Sequence, residues 1–261
     1  MNVDGIELET RWIGEPASRA LVFLHEGLGS ITQWRDTPAA IAARCELPAF
    51  VYARQGYGAS TPASVPRPLT YMHDEAATLP AILDAAGIRE PILVGHSDGA
   101  SIAIIATGTG AVSPRALVLI APHVFVEDIS VASIAAAAEA YRTGDLRRRL
   151  AKHHADVDGA FWGWNRAWLD PDFRRWNLEE FLPAITAPTL IVQGTRDEYG
   201  TRAQVDAILR GVRGPVEVML VDDAGHAPFR DAPEAVHARI AAFIRVSAGD
   251  ATTLRSGPSA H

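Results

Sequence analysis

The chain has 261 residues, 48% hydrophobic and 21% charged, and its 24 Lys+Arg against 31 Asp+Glu leave a formal net charge of −7. A chain of this length can bury roughly 70% or more of its unfolded surface in one large domain, so its stability requires no disulfide or metal staple. The acidic balance opposes a surface built for phosphate backbones or anionic lipid, so neither nucleic acid nor a membrane is expected as a partner.

In chain order, residues 5–13 alternate apolar and polar side chains, which predicts an antiparallel edge strand or hairpin. Short apolar runs then recur at 21–24, 49–52, 92–94, 117–120, 190–192 and 216–221. Helical apolar spacing lies between and after them, at 37–44, 74–86, 201–210 and 232–246. Such alternation is the pattern of buried parallel strands with crossover helices, a mostly parallel, doubly wound α/β sheet.

The alternation stops over 122–187, which reads as helices broken by Gly144, Gly159, Gly163 and Pro171. The expected organisation is therefore a core of 1–121 and 188–247, a helical cap of 122–187 inserted over one end of the sheet, and a mobile tail of 248–261. The cap holds most of the large aromatics. Phe161, Trp164 and Trp168, spaced three and four apart, form a face that packs the cap on the core, and Trp162, Trp164 and Trp168 are the candidates to line a substrate pocket. His153 and His154, beside Arg147, Arg148, Arg149 and Lys152, read as a solvated helix face.

The run at 91–94 enters Gly95-His96-Ser97-Asp98-Gly99, followed by residues 100–107, small and apolar enough for a buried helix. This is G-x-S-x-G in a strand–turn–helix setting, where the flanking glycines remove β-carbons that would collide at a sharp turn and the serine hydroxyl is presented at a helix N-terminus. A serine at its normal pKa needs a neutral histidine as base and a carboxylate to orient it. The run at 190–192 is followed by Gly194-Thr195-Arg196-Asp197-Glu198, and that at 216–221 by Asp222-Asp223-Ala224-Gly225-His226. Both loops fall at the strand-end edge that carries Ser97. Asp197 is the expected acid because it has its own strand end; Asp222 and Asp223 compete with it from three or four residues before His226.

With Ser97, Asp197 and His226 in this order, the sequence resembles the α/β-hydrolase family over almost its whole length apart from the insertion and tail. Phe23-Leu24-His25-Glu26-Gly27-Leu28-Gly29-Ser30 resembles the family's oxyanion-hole loop, and Arg54-Gln55-Gly56-Tyr57-Gly58-Ala59-Ser60 its glycine-rich turn. The resemblance implies the α/β-hydrolase fold and an oxyanion hole made by the backbone N–H groups of Gly27 and Asp98, each donor worth about 3 to 4 kcal/mol. Two residues depart from the pattern. Glu26 stands where many relatives have glycine, and the Asp98 carboxylate must point away from the developing anion and find a donor. His25 and His96 are expected to hold their turns by hydrogen bonds.

The implied activity is hydrolysis of a carboxylic ester of a small apolar or aromatic molecule through an acyl-enzyme. Thioesters, lactones or carbon–carbon bonds are alternative targets of the same triad, and a ligand receptor retaining a hydrolase triad is an alternative of another class. No cofactor and no metal is expected. His25-Glu26 lacks the second histidine of H-E-x-x-H, Gly27-x-Gly29 and Gly56-x-Gly58 lack the third glycine of a dinucleotide fingerprint, and the sole lysine, Lys152, lies outside any P-loop. Cys45 is the only cysteine, and neither a cationic leader nor a membrane-length apolar run is present, so a cytoplasmic location is expected.

Overall fold

The structure, a computed structural model, describes residues 1–248. The tail expected over 248–261 lies, but for Ala248, outside the described residues. The alternating N-terminal stretch forms both of the features it suggested. Strands β1 (Asn2–Val3) and β2 (Ile6–Glu7) make a hairpin turning on Asp4 and Gly5, both at positive φ, as a tight two-residue turn requires. Strand β3 (Thr10–Ile13) then pairs antiparallel with β5 (Ala49–Tyr52) at one edge of the main sheet.

The other apolar runs become β4 (Arg19–Leu24), β6 (Glu90–His96), β7 (Ala116–Ile120), β8 (Thr189–Gly194) and β9 (Val216–Val221). The seven strands lie in the order β3-β5-β4-β6-β7-β8-β9, with every neighbour after the first pair parallel. Strands β5 to β8 are buried nearly throughout, whereas the edge strands β3 and β9 are partly exposed, which is why the inner strands read as unbroken apolar runs. Along β4, Val22 and Leu24 face one core while Leu21 and Phe23 face the other. Helices cover both faces: α1 (Thr37–Cys45) and α9 (Pro233–Ser247), which follows α7 (Arg202–Gly211) and the short α8 (Pro228–Asp231), pack together on one, and α2 (Tyr71–Ala85) and α3 (Asp98–Gly108) on the other. Residues 98–107 of α3 are all buried, which explains the absence of a polar stripe.

Between β7 and β8 the chain is helical, with α4 (Asp128–Thr143), α5 (Leu146–Leu150), α6 (Val157–Leu169) and 3-10 turns at Pro171–Arg175 and Glu179–Ala184. Phe161, Trp164 and Trp168 are buried along one side of α6, and Tyr141 of α4 stacks on Phe161 with ring centroids 3.8 Å apart. His153 and His154 depart from expectation. His154 is buried, accepts from Gly58 N–H at 3.0 Å and donates through Nε2 to Leu28 O at 2.9 Å, while His153 Nδ1 bonds Thr32 Oγ1 at 2.8 Å. The pair ties the helical segment to the loops after β4 and β5. Only the neighbouring Arg147, Arg148, Arg149 and Lys152 are exposed.

Strands β5 and β6 lie on opposite sides of β4, so the winding reverses there and leaves a crevice at the carboxyl ends of β4 and β6. Glu26 follows β4 and Ser97 follows β6, which brings two loops distant in sequence to the same opening.

Candidate active site

Ser97 sits between β6 and α3 at φ 53° and ψ −119°, a left-handed backbone that a residue other than glycine rarely adopts. The turn is pinned by Ser97 N–H, which donates to Ile120 O at 2.9 Å, and by the first bonds of α3 to Ser97 O. A Cβ at Gly95 would strike the backbone of Gly99 and Ala100, and one at Gly99 would strike Leu24 O. Glycines two before and two after the serine are therefore steric necessities of the close approach between β4, β6 and α3.

Ser97 and His226 border one cavity of about 210 Å³, together with Glu26, Gly27, Leu28, His96, Trp164, Glu198, Tyr199, Ala227 and Arg230. The His226 ring is held from behind, its Nδ1 lying 2.9 Å from both carboxylate oxygens of Asp197. Asp197 is in turn fixed by Gln193 Nε2 at 2.7 Å, Tyr199 N–H at 2.8 Å and Gly200 N–H at 3.3 Å. Burial works against ionisation of Asp197, but the His226 bond and charge and the Tyr199 N–H outweigh it and hold the carboxyl below its usual range. Burial likewise favours neutral His226, yet the Asp197 bond and charge, with Glu26 and Glu198, raise its pKa above the ordinary 6.5. Ser97 Oγ and His226 Nε2 make no hydrogen bond to another described residue, which leaves both free toward the cavity. Such contacts commonly close only around a bound substrate.

Asp222 and Asp223 make no bond to the ring; Asp223 is exposed and pairs with Arg196 at 2.6 Å. The backbone N–H groups of Gly27 and Asp98 have no acceptor among the described residues, and a Cβ at Gly27 would collide with the Trp164 indole. The Asp98 carboxylate finds a donor, as its position demanded: Tyr71 Oη donates to Oδ2 at 2.5 Å, and Trp168 Nε1 donates to Tyr71 Oη at 3.0 Å. Burial raises the Asp98 pKa, opposed chiefly by the charge of Arg54. With the carboxylate turned into this buried chain of donors, Asp98→Asn should leave kcat within about tenfold of wild type, measured on the same substrate. A much larger change would mean that the carboxylate faces the reacting centre.

Of the three tryptophans proposed for the pocket, only Trp164 lines the cavity. Trp162, two residues earlier on α6, points to the other side of the helix, where the guanidinium groups of Arg142 and Arg166 lie 5.0 and 5.4 Å from its ring. Trp168, one turn beyond Trp164, is enclosed by His123, Phe173 and Trp176. Its indole serves the packing and the Tyr71 bond.

His25 holds its turn in the neutral form, donating through Nδ1 to Glu26 O at 2.7 Å and accepting Arg54 N–H through Nε2 at 3.0 Å. Burial, then the charge of Arg54, lowers its pKa well below 6.5. Several site residues carried no recognised sequence signal. Glu198 accepts the His226 main-chain N–H at 3.2 Å, Tyr199 packs its ring 4.7 Å from His226, and His123 lies 5.6 Å from it. Burial, with the charge of His226, pushes His123 down to about 3. Adjacency to Asp197 was the available clue for Glu198 and Tyr199. Among the described residues no group of three His, Cys, Asp or Glu side chains is gathered to hold a metal ion, and no helix is long and apolar enough to cross a membrane.

The chain belongs to the alpha/beta hydrolase family, whose model matches residues 21–239. Among curated relatives it is 28% identical over 173 residues to N-formylmaleamate deformylase of Pseudomonas putida, a match covering 58% of this chain and 62% of that protein. Among solved structures it is similar to an enol-lactonase from Burkholderia xenovorans, with a TM-score of 0.72 and 18% identity over 93% of this chain and 98% of the other. A carboxylesterase structure from Nitrososphaera gargenis gives a TM-score of 0.76 at 14% identity over 93% and 95% of the two chains. At these identities the likeness is one of fold.

Proposed function

We propose that this protein is a serine hydrolase that cleaves a carboxylic ester of a small apolar or aromatic molecule through an acyl-enzyme. Ser97 is the nucleophile, His226 the base and Asp197 the group that orients it; the N–H groups of Gly27 and Asp98 form the oxyanion hole. The helical segment 122–187 acts as a cap over the core of 1–121 and 188–247, with Trp164 as its contribution to the substrate wall. One observation carries the reading: a serine on a strained strand-to-helix turn and a histidine held by a buried carboxylate border the same cavity.

His226 Nε2 takes the Ser97 proton as Oγ attacks the carbonyl, and the imidazolium is stabilised by Asp197. The tetrahedral oxyanion is met by the two N–H groups at the start of α3 and after β4. His226 then gives its proton to the leaving alcohol and afterwards activates water, which releases the acid and restores Ser97. A cavity of about 210 Å³ lies below the range of drug-sized pockets, which favours a compact acyl group.

The N-formylmaleamate deformylase relative acts, by its name, on an N-formyl group. Attack by Ser97 on a formyl carbonyl would use the same steps with a nitrogen leaving group, so this substrate class belongs in the test. Purified protein is assayed on p-nitrophenyl esters, thioesters, lactones, vinylogous diketones and an N-formyl amide, beside Ser97→Ala. Many turnovers that depend on Ser97 support an enzyme, and the preferred substrate sorts the bond types. At most one slow event per chain would support a receptor that retains the triad.

The base sets the pH dependence. Only neutral His226 can accept the proton, and its pKa is raised, so kcat/KM should fall as the pH drops through a value above the ordinary 6.5. A profile flat through that region, on a substrate with rate-limiting acylation, would remove His226 from the role.

A further inference from the structure

Against His226 stands a second carboxylate–imidazole pair that the proposed reaction leaves unused. Glu26 Oε2 lies 2.6 Å from His96 Nδ1, and His96 Nε2 lies 2.8 Å from the main-chain O of His226. A carbonyl oxygen can only accept, so Nε2 carries a proton. An ionised carboxylate can also only accept, so the contact at Nδ1 needs a proton too. The pair therefore holds one proton more than a carboxylate beside a neutral imidazole. It is enclosed: the His96 and Glu26 side chains are 2% and 19% exposed, and His96 packs against Trp34 and Phe229.

The His226 main chain is thus gripped at both ends, its N–H by Glu198 and its carbonyl by His96. The rings of His96 and His226 lie 5.1 Å apart. The ring of His226 is thus held by a carboxylate, Asp197, and its carbonyl by a carboxylate–imidazole pair, Glu26 and His96. A glycine in place of Glu26 would leave His96 Nδ1 without this acceptor in a buried setting.

We infer that Glu26 and His96 are positioning residues for His226: His96 fixes the main chain that carries the ring, and Glu26 holds His96 in place while adding a carboxylate to the cavity that the ring borders. The inference rests on His226 being the base. The titratable or charged groups around that ring are Asp197, Glu198 and Tyr199 after β8, His96 at the end of β6, His123 after β7, Glu26 after β4 and Arg230 two residues past Pro228. His123, pushed down to about 3, contributes no charge near neutrality. Burial favours the neutral His226 ring, but Asp197, Glu26 and Glu198 raise its pKa. The coupling is reciprocal. Burial opposes ionisation of Glu26, yet the charge and bond of His96, then Arg230 at 3.6 Å and His226, hold its carboxyl well below the usual range.

Magnetic resonance of isotope-labelled histidine nitrogens in the full chain tests this without requiring turnover. In the wild type, His96 Nε2 should carry the proton that it donates to the His226 main-chain O. Glu26→Gln keeps an oxygen that can accept from His96 and removes only the charge; the His226 midpoint should then fall by about half a pH unit or more, and the acid limb of kcat/KM should move with it. A wild-type His96 with no proton on Nε2 overturns the inference, and that measurement decides even if the variant fails to fold. A His226 midpoint that stays within about 0.2 pH unit in folded Glu26→Gln overturns it as well. Failure of the hydrolase reading shows separately, as turnover that survives Ser97→Ala.

Discussion

Replacing Ser97 with alanine is expected to lower kcat on an activated ester by about 10⁴-fold or more while KM changes little. The position already accommodates a Cβ at φ 53°, so alanine retains the backbone of the turn, the start of α3 and the walls of the cavity. What disappears is the serine hydroxyl that borders this cavity with the imidazole. Residual turnover would come from water attacking a carbonyl still held by the oxyanion donors, which is slow because water is not positioned against His226. Steady-state kinetics measure the loss, and mass spectrometry of the protein quenched during turnover should find an acyl adduct on the wild type and none on the variant. A variant that works at the wild-type rate would remove Ser97 from the chemistry.

Asp197→Asn should be nearly as damaging, with kcat reduced by about 10⁴-fold and little change in thermal stability. The carboxylate accepts on both oxygens, from His226 Nδ1, Gln193 Nε2 and the backbone of Tyr199 and Gly200. An asparagine can satisfy the backbone with its carbonyl only by turning its amide toward Gln193 and His226. Gln193 can adjust, because its Oε1 is buried without a partner and an amide flip would present it as an acceptor. His226 adjusts at the cost of the proposed role: a donor at Nδ1 favours the tautomer with the proton on Nε2, the nitrogen that receives the serine proton in the proposed mechanism. The fold survives and the base does not. A loss of only about tenfold would shift the orienting role to another carboxylate near the ring, with Glu198 and Glu26 the neighbours to test next.

Much of this arrangement was legible along the chain because it depends on local rules. The inner strands announced themselves as apolar runs since both their faces are covered, and the helices 37–44 and 201–210 differ from α1 and α7 (Arg202–Gly211) only at their ends. Ser97 was legible because a tight strand–turn–helix junction tolerates no β-carbon at Gly95 or Gly99. Asp197 and His226 followed from a topological rule, that loops after parallel strands gather at one edge. The misreadings have a common cause. Trp162 and Trp168 were grouped with Trp164 by composition, but two residues of helix turn one of them away and a further turn carries the other into the packed interior. His153 and His154 looked solvated beside their charged neighbours, although the acceptors and donors they use, in Thr32, Leu28 and Gly58, belong to distant loops.

The sequence by itself determined the α/β architecture and the identities of the nucleophile, base and acid candidates, because strand burial, glycine sterics and strand-end order are written in short segments. Only the tertiary structure decided how the surroundings of those side chains are wired: the bond from His226 Nδ1 to Asp197, the turn of Asp98 toward Tyr71, the single tryptophan at the cavity and the Glu26–His96 pair behind His226. Each of these joins residues tens of positions apart or more, or depends on which way a side chain points. Distance and direction between such groups are products of packing, and no local pattern of residues encodes them.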